Sequence, residues 1–450
     1  MNGHYDEASL QEALDAPPND PARATLDAHL TQCASCRTML EELRAFEATL
    51  SSEALWHVAV DTGEEPPEEI RRMASLLAAE DTAAETLLAP FLGSPAAFRR
   101  ARVTARLEMR TAGVARLLSA ESRKYRERQP MHALVLADTA IAIADQLSAE
   151  RYPLPLLDDL RGNAWLERAN VLRSLGRYPE ALDALDITVR AFERAPIAAY
   201  STALTDYLRG VIYVEMERLD EALRLVRRSA RVFRQFGEEE RYVHAKIVEA
   251  TVLFDQNRIR ESRDLFTTLI GKAKDLGDAP TLARLYANTA NCQLRLNELA
   301  AADDLFGRAL SLYEALGLET ERIRTRWSIG CLRIALGDTS DGLARLREAA
   351  REFEDLGLRS DAALVSLDLA EALLVSGDAA ALREAAERSG KLVESFSAIG
   401  MTGHALTALA YLRESFASGR VTPGLIRHVR QYLETRPDQT GNPFLPPPPL

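Results

Sequence analysis

Residues 164–185 read AWLERANVLRSLGRYPEALDAL, and the pattern in this stretch recurs along much of the chain. Gly176 marks its turn, and the equivalent positions follow at steps of 41, 40, 40, 40 and 40 residues: Glu217, Asn257, Asn297, Gly337 and Gly377. A small residue stands seven positions before each anchor: Ala169, Gly210, Ala250, Ala290, Gly330 and Ala370. Two markers that stay in step through six copies indicate a repeat protein.

Five of the six copies are followed by a second marker, a hydrophobic residue and then glycine. The pairs are Phe236-Gly237, Leu276-Gly277, Leu316-Gly317, Leu356-Gly357 and Ile399-Gly400. Between the markers lie two apolar patterns with helical spacing, separated by a short polar turn. The small residue predicts close approach of two helices, and the glycine predicts a helix C-terminus. Because one helix pair cannot bury its apolar faces alone, the sequence predicts an all-α solenoid of about seven to eight stacked helix pairs.

The repeat resembles the tetratricopeptide (TPR) family. Trp165, Ala169, Tyr178 and Ala181 stand where that family places Trp, a small residue, an aromatic residue and Ala. The period of forty residues is longer than the family's usual period of about 34. The resemblance extends roughly from Arg99 to Arg436 and implies a TPR-like fold that provides surfaces for protein–protein interaction.

The N-terminal sixty residues contain an H-x3-C-x2-C motif formed by His29, Cys33 and Cys36. On a continuous helix these spacings place three ligand side chains on one face, and a turn at Ala34-Ser35 would still bring the two thiolates together. A structural zinc ion takes four such ligands. His4 is the best candidate for the fourth ligand, and His57 or a carboxylate is the alternative.

This motif resembles the zinc finger at the N-terminus of bacterial anti-sigma factors. His4, His29-Leu30, Cys33 and Cys36 match its upstream His, its His-Leu pair and its two cysteines. The resemblance implies a bound Zn²⁺ and a role in transcription regulation. Many relatives continue into a transmembrane helix, whereas this chain continues into repeats. The alternative is an ordinary amphipathic helix with two free thiols. If zinc is bound, a structural site is favoured over a redox-sensing one.

Charge is distributed unevenly along the chain, whose formal net charge is −12. Residues 1–60 carry ten Asp and Glu against three Arg, whereas residues 97–129 carry ten Lys and Arg against three Glu. Residues 98–128 have a helical pattern in which four arginines form a basic stripe: Arg99, Arg102, Arg106 and Arg110. The stripe lacks the interleaved aromatic residues that single-strand binding prefers, so we interpret it as a solvated helix face and do not expect nucleic-acid binding.

A polar stripe with helical spacing marks the candidate binding groove. It consists of Arg284, Asn288, Asn291 and Arg295. Arg324 occupies the position of Arg284 in the next repeat, and Asn170 occupies the position of Asn291 in an earlier one. In TPR-like arrays the first helix of each pair lines the groove. Amide and guanidinium groups on that wall suit an extended peptide with a carboxylate. The alternative is an exposed polar face without a ligand.

Four segments follow from these patterns. They are a zinc-finger module at 1–58, a helical linker at 59–97, a TPR-like solenoid at 98–436 and a disordered, proline-rich tail at 437–450. No apolar run approaches the roughly 18 residues that span a bilayer, and the acidic start does not resemble a signal peptide, so we expect a cytoplasmic protein without a membrane partner. The chain has no phosphate-binding loop or nucleophile elbow, so we do not expect an enzyme.

Two functions are compatible with the sequence. The first is a cytoplasmic regulatory adaptor whose zinc module sequesters a sigma factor while the repeats bind a second protein partner. The second is a TPR scaffold in which the zinc site only stabilises the N-terminus.

Overall fold

The computed structural model describes residues 10, 21–38, 40, 67–92, 100, 103–193, 198–376, 381, 383–388, 404–434 and 444–446. All regular secondary structure within these residues is helical. The predicted all-α, TPR-like solenoid is therefore confirmed as the fold class. None of the helices in the described part of the chain is long and apolar enough to cross a membrane.

The helices alternate with short turns along the chain. In order they are α1 (Pro21–Gln32), α2 (Glu68–Leu92), α3 (Ala112–Tyr125), α4 (Pro130–Ala144), α5 (Leu154–Ser174), α6 (Tyr178–Phe192), α7 (Ala198–Glu215), α8 (Leu219–Gln235), α9 (Glu239–Asp255), α10 (Ile259–Asp275), α11 (Ala279–Arg295), α12 (Leu299–Leu316), α13 (Glu319–Ala335), α14 (Thr339–Asp355), α15 (Arg359–Ser376), α16 (His404–Ala417) and α17 (Pro423–Glu434).

The chain forms two compact units. The first comprises Met1–Val214 and Asp220–Ala245, and the second comprises Glu215–Leu219 and Lys246–Leu450. The boundaries that the sequence predicts at 58, 97 and 436 lie outside the described residues, so they remain predictions.

Both sequence markers are turns at which one helix ends and the next begins. The described anchors have positive φ: Gly176 70°, Glu217 59°, Asn257 61°, Asn297 62° and Gly337 89°. The described glycines of the second marker also have positive φ: Gly237 70°, Gly277 68°, Gly317 65° and Gly357 72°. After Asn297 the chain closes a Schellman-type bond, in which Glu298 N donates to Gln293 O at 2.8 Å. The repeat period is therefore the spacing of left-handed turns.

The small residues lie where the two helices of a pair approach most closely. Ala290 of α11 is fully buried in a cluster with Ala302 and Phe306 of α12. At Gly330 of α13, a Cβ atom would lie 3.0 Å from the Cδ2 atom of Leu346 in α14. Since that distance is already tight for a methyl group, larger side chains would force the helices apart.

Helix α2 belongs to the core of the first unit, although the sequence places it in a linker. Leu88 is fully buried in the cluster that α2 shares with α3 and α4. The carboxylate of Glu80 is buried, where it accepts a 2.7 Å hydrogen bond from Tyr152 Oη and pairs with Arg151. Pro90 lies close to the C-terminus of α2 and does not end the helix before Leu92.

The sequence predicts one continuous basic helix at 98–128, and this prediction is wrong because the helix is interrupted. Arg106 is extended (φ −95°, ψ 125°), and a short 3₁₀ turn spans Leu107–Met109. A new helix, α3, then starts because the side chain of Thr111 accepts a hydrogen bond from Val114 N as an N-cap. Arg106 and Arg110 therefore do not share a helix face, and Arg99 and Arg102 lie outside the described residues.

Residues 444–446 of the C-terminal segment pack against α16 and α17, which departs from the prediction of a disordered tail. Phe444 is 7% exposed and lies against the rings of Tyr411, His428 and Tyr432. His428 Nε2 donates to the carbonyl oxygen of Leu445 at 2.8 Å. One aromatic residue among prolines is enough to dock this segment, because an aromatic side chain buries a large apolar area.

Candidate functional sites

The N-terminal motif lies where α1 ends. His29 is in the last turn of α1, Cys33 interrupts the helical run, and residues 34–38 are helical again. Cys33 N still donates to His29 O at 3.0 Å and Arg37 N donates to Cys33 O at 3.2 Å, so the helical hydrogen-bond pattern continues through the interruption. Arg37 Nη1 donates to the carbonyl oxygen of Leu30 at 2.6 Å, which satisfies one of the carbonyls left open at the helix end.

The three ligand atoms of this motif converge. All of them lie within 4.8 Å of one another. His29 Nε2 is 3.4 Å from Cys36 Sγ, and Cys36 N donates to Cys33 Sγ at 3.5 Å. Tetrahedral zinc, with bonds of roughly 2.0–2.3 Å, holds its ligand atoms about 3.5 Å apart. The three described donors are of the types that bind zinc, and the His29–Cys36 distance matches the ligand spacing of a tetrahedral site.

The environment of the cluster also fits a metal site. Cys36 is 1% exposed and Leu26 of α1 is equally buried, while Cys33 is half-buried. The backbone N–H that donates to Cys33 Sγ stabilises a thiolate, and the burial of Cys36 shields a bound metal from solvent. The proposed fourth ligand His4 and its alternative His57 lie outside the described residues.

The predicted groove stripe lies on α11 in the second unit. Arg284 and Arg295 are exposed, and Asn288 and Asn291 between them are half-buried. Arg284 Nη2 donates to Thr281 Oγ1 at 3.2 Å within the same helix. The stripe therefore presents two guanidinium groups at the ends and two amides in the middle.

Arg295 also reaches the preceding repeat. Its Nη2 atom donates to Asn257 Oδ1 at 3.4 Å, and its guanidinium carbon lies 5.6 Å from the centre of the Phe254 ring. These contacts position the side chain without an acidic partner among the described contacts. A carboxylate ligand would therefore find a guanidinium group that is already oriented.

The other two predicted groove residues are engaged differently. Arg324 forms an ion pair with Asp361 of the next repeat, with 3.0 Å between Nε and Oδ1. Asn170 lies in the first unit, where its Oδ1 accepts a 3.0 Å hydrogen bond from Arg173 Nε. The structure thus groups four of the six predicted groove residues on one helix face.

A second polar cluster lies on α15, the first helix of a later repeat, and the sequence analysis missed it. Asp368 and Glu371 stand two repeats after Asn288 and Asn291 and occupy the same repeat positions. They bind Arg430 and Arg427 of α17, with nitrogen–oxygen distances of 3.0 and 2.6 Å. The period predicts which helix face these carboxylates occupy, but nothing local predicts that α17 covers them.

Comparison with known proteins agrees with the repeat pattern. Residues 160–235 match the tetratricopeptide repeat family. No curated protein matches the chain.

Several solved structures have a similar fold. The apo form of RapI is 12% identical, with a TM-score of 0.48 over 74% of this chain and 100% of that one. Aspartyl phosphate phosphatase F from Bacillus subtilis is 13% identical, with a TM-score of 0.47 over 75% and 91% of the two chains. The apo quorum sensor NprR from B. thuringiensis is 13% identical, with a TM-score of 0.46 over 68% and 88%.

Proposed function

We propose that this protein is a non-enzymatic, cytoplasmic regulatory adaptor whose α11 face binds an extended, carboxylate-bearing peptide segment of a partner protein. The observation that carries the proposal is the pair of exposed guanidinium groups, Arg284 and Arg295, at the two ends of one helix face. Asn288 and Asn291 lie between them and offer both donors and acceptors to a peptide backbone. Guanidinium groups form strong paired hydrogen bonds with carboxylates, so the stripe favours acidic over basic ligands.

Peptide arrays would test the groove directly. The full chain is probed against acidic peptides that carry either a free or an amidated C-terminus. Arg284→Ala/Arg295→Ala should lose binding to the free-carboxylate set. Arg308→Ala/Arg351→Ala removes the same charge from exposed positions on the second helices α12 and α14 and should bind like wild type. Equal binding by the two double variants would assign the stripe to a solvated face.

We further propose that the His29–Cys33–Cys36 cluster binds zinc and that the acidic N-terminal segment contacts a sigma factor. The converging ligand atoms and the resemblance to anti-sigma zinc fingers support this assignment. Residues 1–60 carry a net charge of −7, which complements the basic, DNA-contacting surface of a sigma factor. Such an interaction should weaken as salt is raised.

Transcription assays separate this function from a scaffold with a structural zinc site. Full-length protein is added to RNA polymerase with each sigma factor of the host, in low and high salt. Inhibition that Cys36→Ser removes would support sequestration. Zinc binding without inhibition of any sigma factor would favour the scaffold.

A further inference from the structure

Helix α17 packs on α15 at the repeat positions that correspond to the middle of the α11 stripe. Its Arg427 and Arg430, three residues apart and therefore on one side of the helix, bind Glu371 and Asp368 of α15. These carboxylates occupy the repeat positions of Asn291 and Asn288. At the C-terminal end of the array, the chain thus places its own helix on the first-helix surface.

The groups around Arg430 suit a guanidinium group, because they combine a carboxylate with an aromatic ring. The Trp327 indole donates to Asp368 Oδ2 at 2.7 Å, and Cys331 Sγ lies 3.7 Å from the same oxygen. The guanidinium carbon of Arg430 lies 5.9 Å from the centre of the Trp327 ring. A carboxylate fixed at the edge of an aromatic ring attracts an arginine both as an ion pair and by its interaction with the ring.

The rest of α17 completes an amphipathic ligand. Leu425, Ile426 and Val429 are buried in the apolar cluster of α15 and its neighbours. Arg427 is 59% exposed, although it contacts Glu371. The residues that fix α17 are therefore two arginines three positions apart and a short apolar stripe, which any amphipathic helix of that pattern would supply.

We propose that Trp327, Asp368 and Glu371 form a docking site for an arginine-bearing amphipathic helix of a partner protein, and that α17 is its built-in occupant. Removing α17 leaves two carboxylates beside an aromatic ring, and this charge selects a cationic helix. This proposal rests on the proposed function in one respect: both take the face formed by the first helices of the repeats in the second unit as a binding surface. Its ligand has the opposite charge to the one assigned to Arg284 and Arg295, so the two sites are separable.

A labelled peptide of residues 421–434, VTPGLIRHVRQYLE, tests the site in the full chain. Wild type should bind it weakly, because α17 fills the site. Arg427→Glu/Arg430→Glu repels α17 but keeps the pocket, and it should bind the peptide about tenfold more tightly, the change expected for a lost charge pair. Adding Asp368→Asn/Glu371→Gln should abolish that gain. A peptide with both arginines replaced by Glu should bind none of these proteins.

Alkylation of Cys331 gives a second readout, because its sulfur lies 3.7 Å from the Asp368 carboxylate that pairs with Arg430. The labelling rate should rise in Arg427→Glu/Arg430→Glu, and in the milder Arg427→Ala if the double variant fails to fold. Faster labelling without a gain in peptide binding would overturn the proposal. The proposal would also be overturned if the peptide still bound after Asp368→Asn/Glu371→Gln. Release of α17 that produces only dimers of this chain would overturn it as well. Arg284→Ala/Arg295→Ala should leave this peptide's affinity unchanged, so failure at one site does not imply failure at the other.

Discussion

The Nε2 atom of His29 lies 3.4 Å from the Sγ atom of Cys36, although seven residues separate them in the sequence. Seven residues of continuous helix rise about 10 Å, which a histidine and a cysteine side chain together span poorly. The helical run is interrupted at Cys33, between these two residues, yet their ligand atoms converge. This convergence places His29 and Cys36 where one metal ion could contact both.

Zinc content should follow the two cysteines of the motif and no others. Cys33→Ser or Cys36→Ser should reduce the metal measured by mass spectrometry from about one zinc per chain to none, because a hydroxyl is a much poorer zinc ligand than a thiolate. Cys292→Ala is the matched control, since Cys292 is fully buried in α11. Full zinc in Cys36→Ser would contradict the site.

Overpacking at a repeat contact should destabilise the second unit locally. Ala290→Leu adds three carbons where α11 meets α12, and we expect the free energy of unfolding to fall by about 1–3 kcal/mol. Ala300→Leu, at an exposed position of α12, should change it by less than about 0.5 kcal/mol. Urea denaturation measures both, and hydrogen exchange should show the loss concentrated around the neighbouring repeats. Equal midpoints for the two variants would contradict the packing assigned to Ala290.

Stability should fall as the pH rises through the range in which Glu167 ionises. Burial raises the pKa of Glu167 to about 7 from an ordinary value of 4.5, and nearby Arg126, Arg123 and Ser122 only partly offset that cost. The pKa of Glu167 is higher in the folded than in the unfolded protein. The stability that protonated Glu167 contributes is therefore fully present below about pH 4.5 and is lost as the pH rises to about 7. The whole change is on the order of 3 kcal/mol.

A glutamine at this position removes the titration. Glu167→Gln should flatten the dependence of the unfolding free energy on pH between about 5 and 8. Glu180→Gln is the control, because Glu180 is exposed and the hydrogen bond from Arg177 lowers the pKa of Glu180. If the unfolding free energy of Glu167→Gln depended on pH as steeply as that of wild type, groups other than Glu167 would control this dependence.

The repeat markers were predictable because each is set by local chemistry. Gly237 and Gly277 of the second marker end their helices in left-handed turns, as expected of glycine, whereas the left-handed conformation of the anchors Asn257 and Asn297 is seen only in the structure. The His29 cluster was predictable for the same reason, since its residues lie within two helical turns. Local spacing thus determined the turns and the candidate metal ligands.

The ion pairs between α17 and α15 were not predictable, because they join residues far apart in the sequence. Arg430 meets Trp327 across 103 residues, and the 40-residue period no longer holds at α17. Phe444 docks for a similar reason, since its partners Tyr411 and Tyr432 belong to helices outside the regular repeat. The single long helix predicted at 98–128 failed at Thr111, where an N-cap competes with the apolar periodicity.

Two glycines ten residues apart offer a paired test of the left-handed turns. Gly307 lies inside α12 and a Cβ atom there would have no neighbour within 4 Å, so Gly307→Ala should raise the free energy of unfolding by about 0.5–1 kcal/mol through the lower entropy of the unfolded chain. Gly317 ends the same helix at φ 65°, where a Cβ atom is equally free of neighbours. Gly317→Ala should nevertheless lower the free energy by about 1–2 kcal/mol, because only backbone strain differs between the two sites. Opposite shifts in the urea midpoint would establish that the marker is conformational, whereas stabilisation by both variants would mean that the turn after α12 is not left-handed in solution.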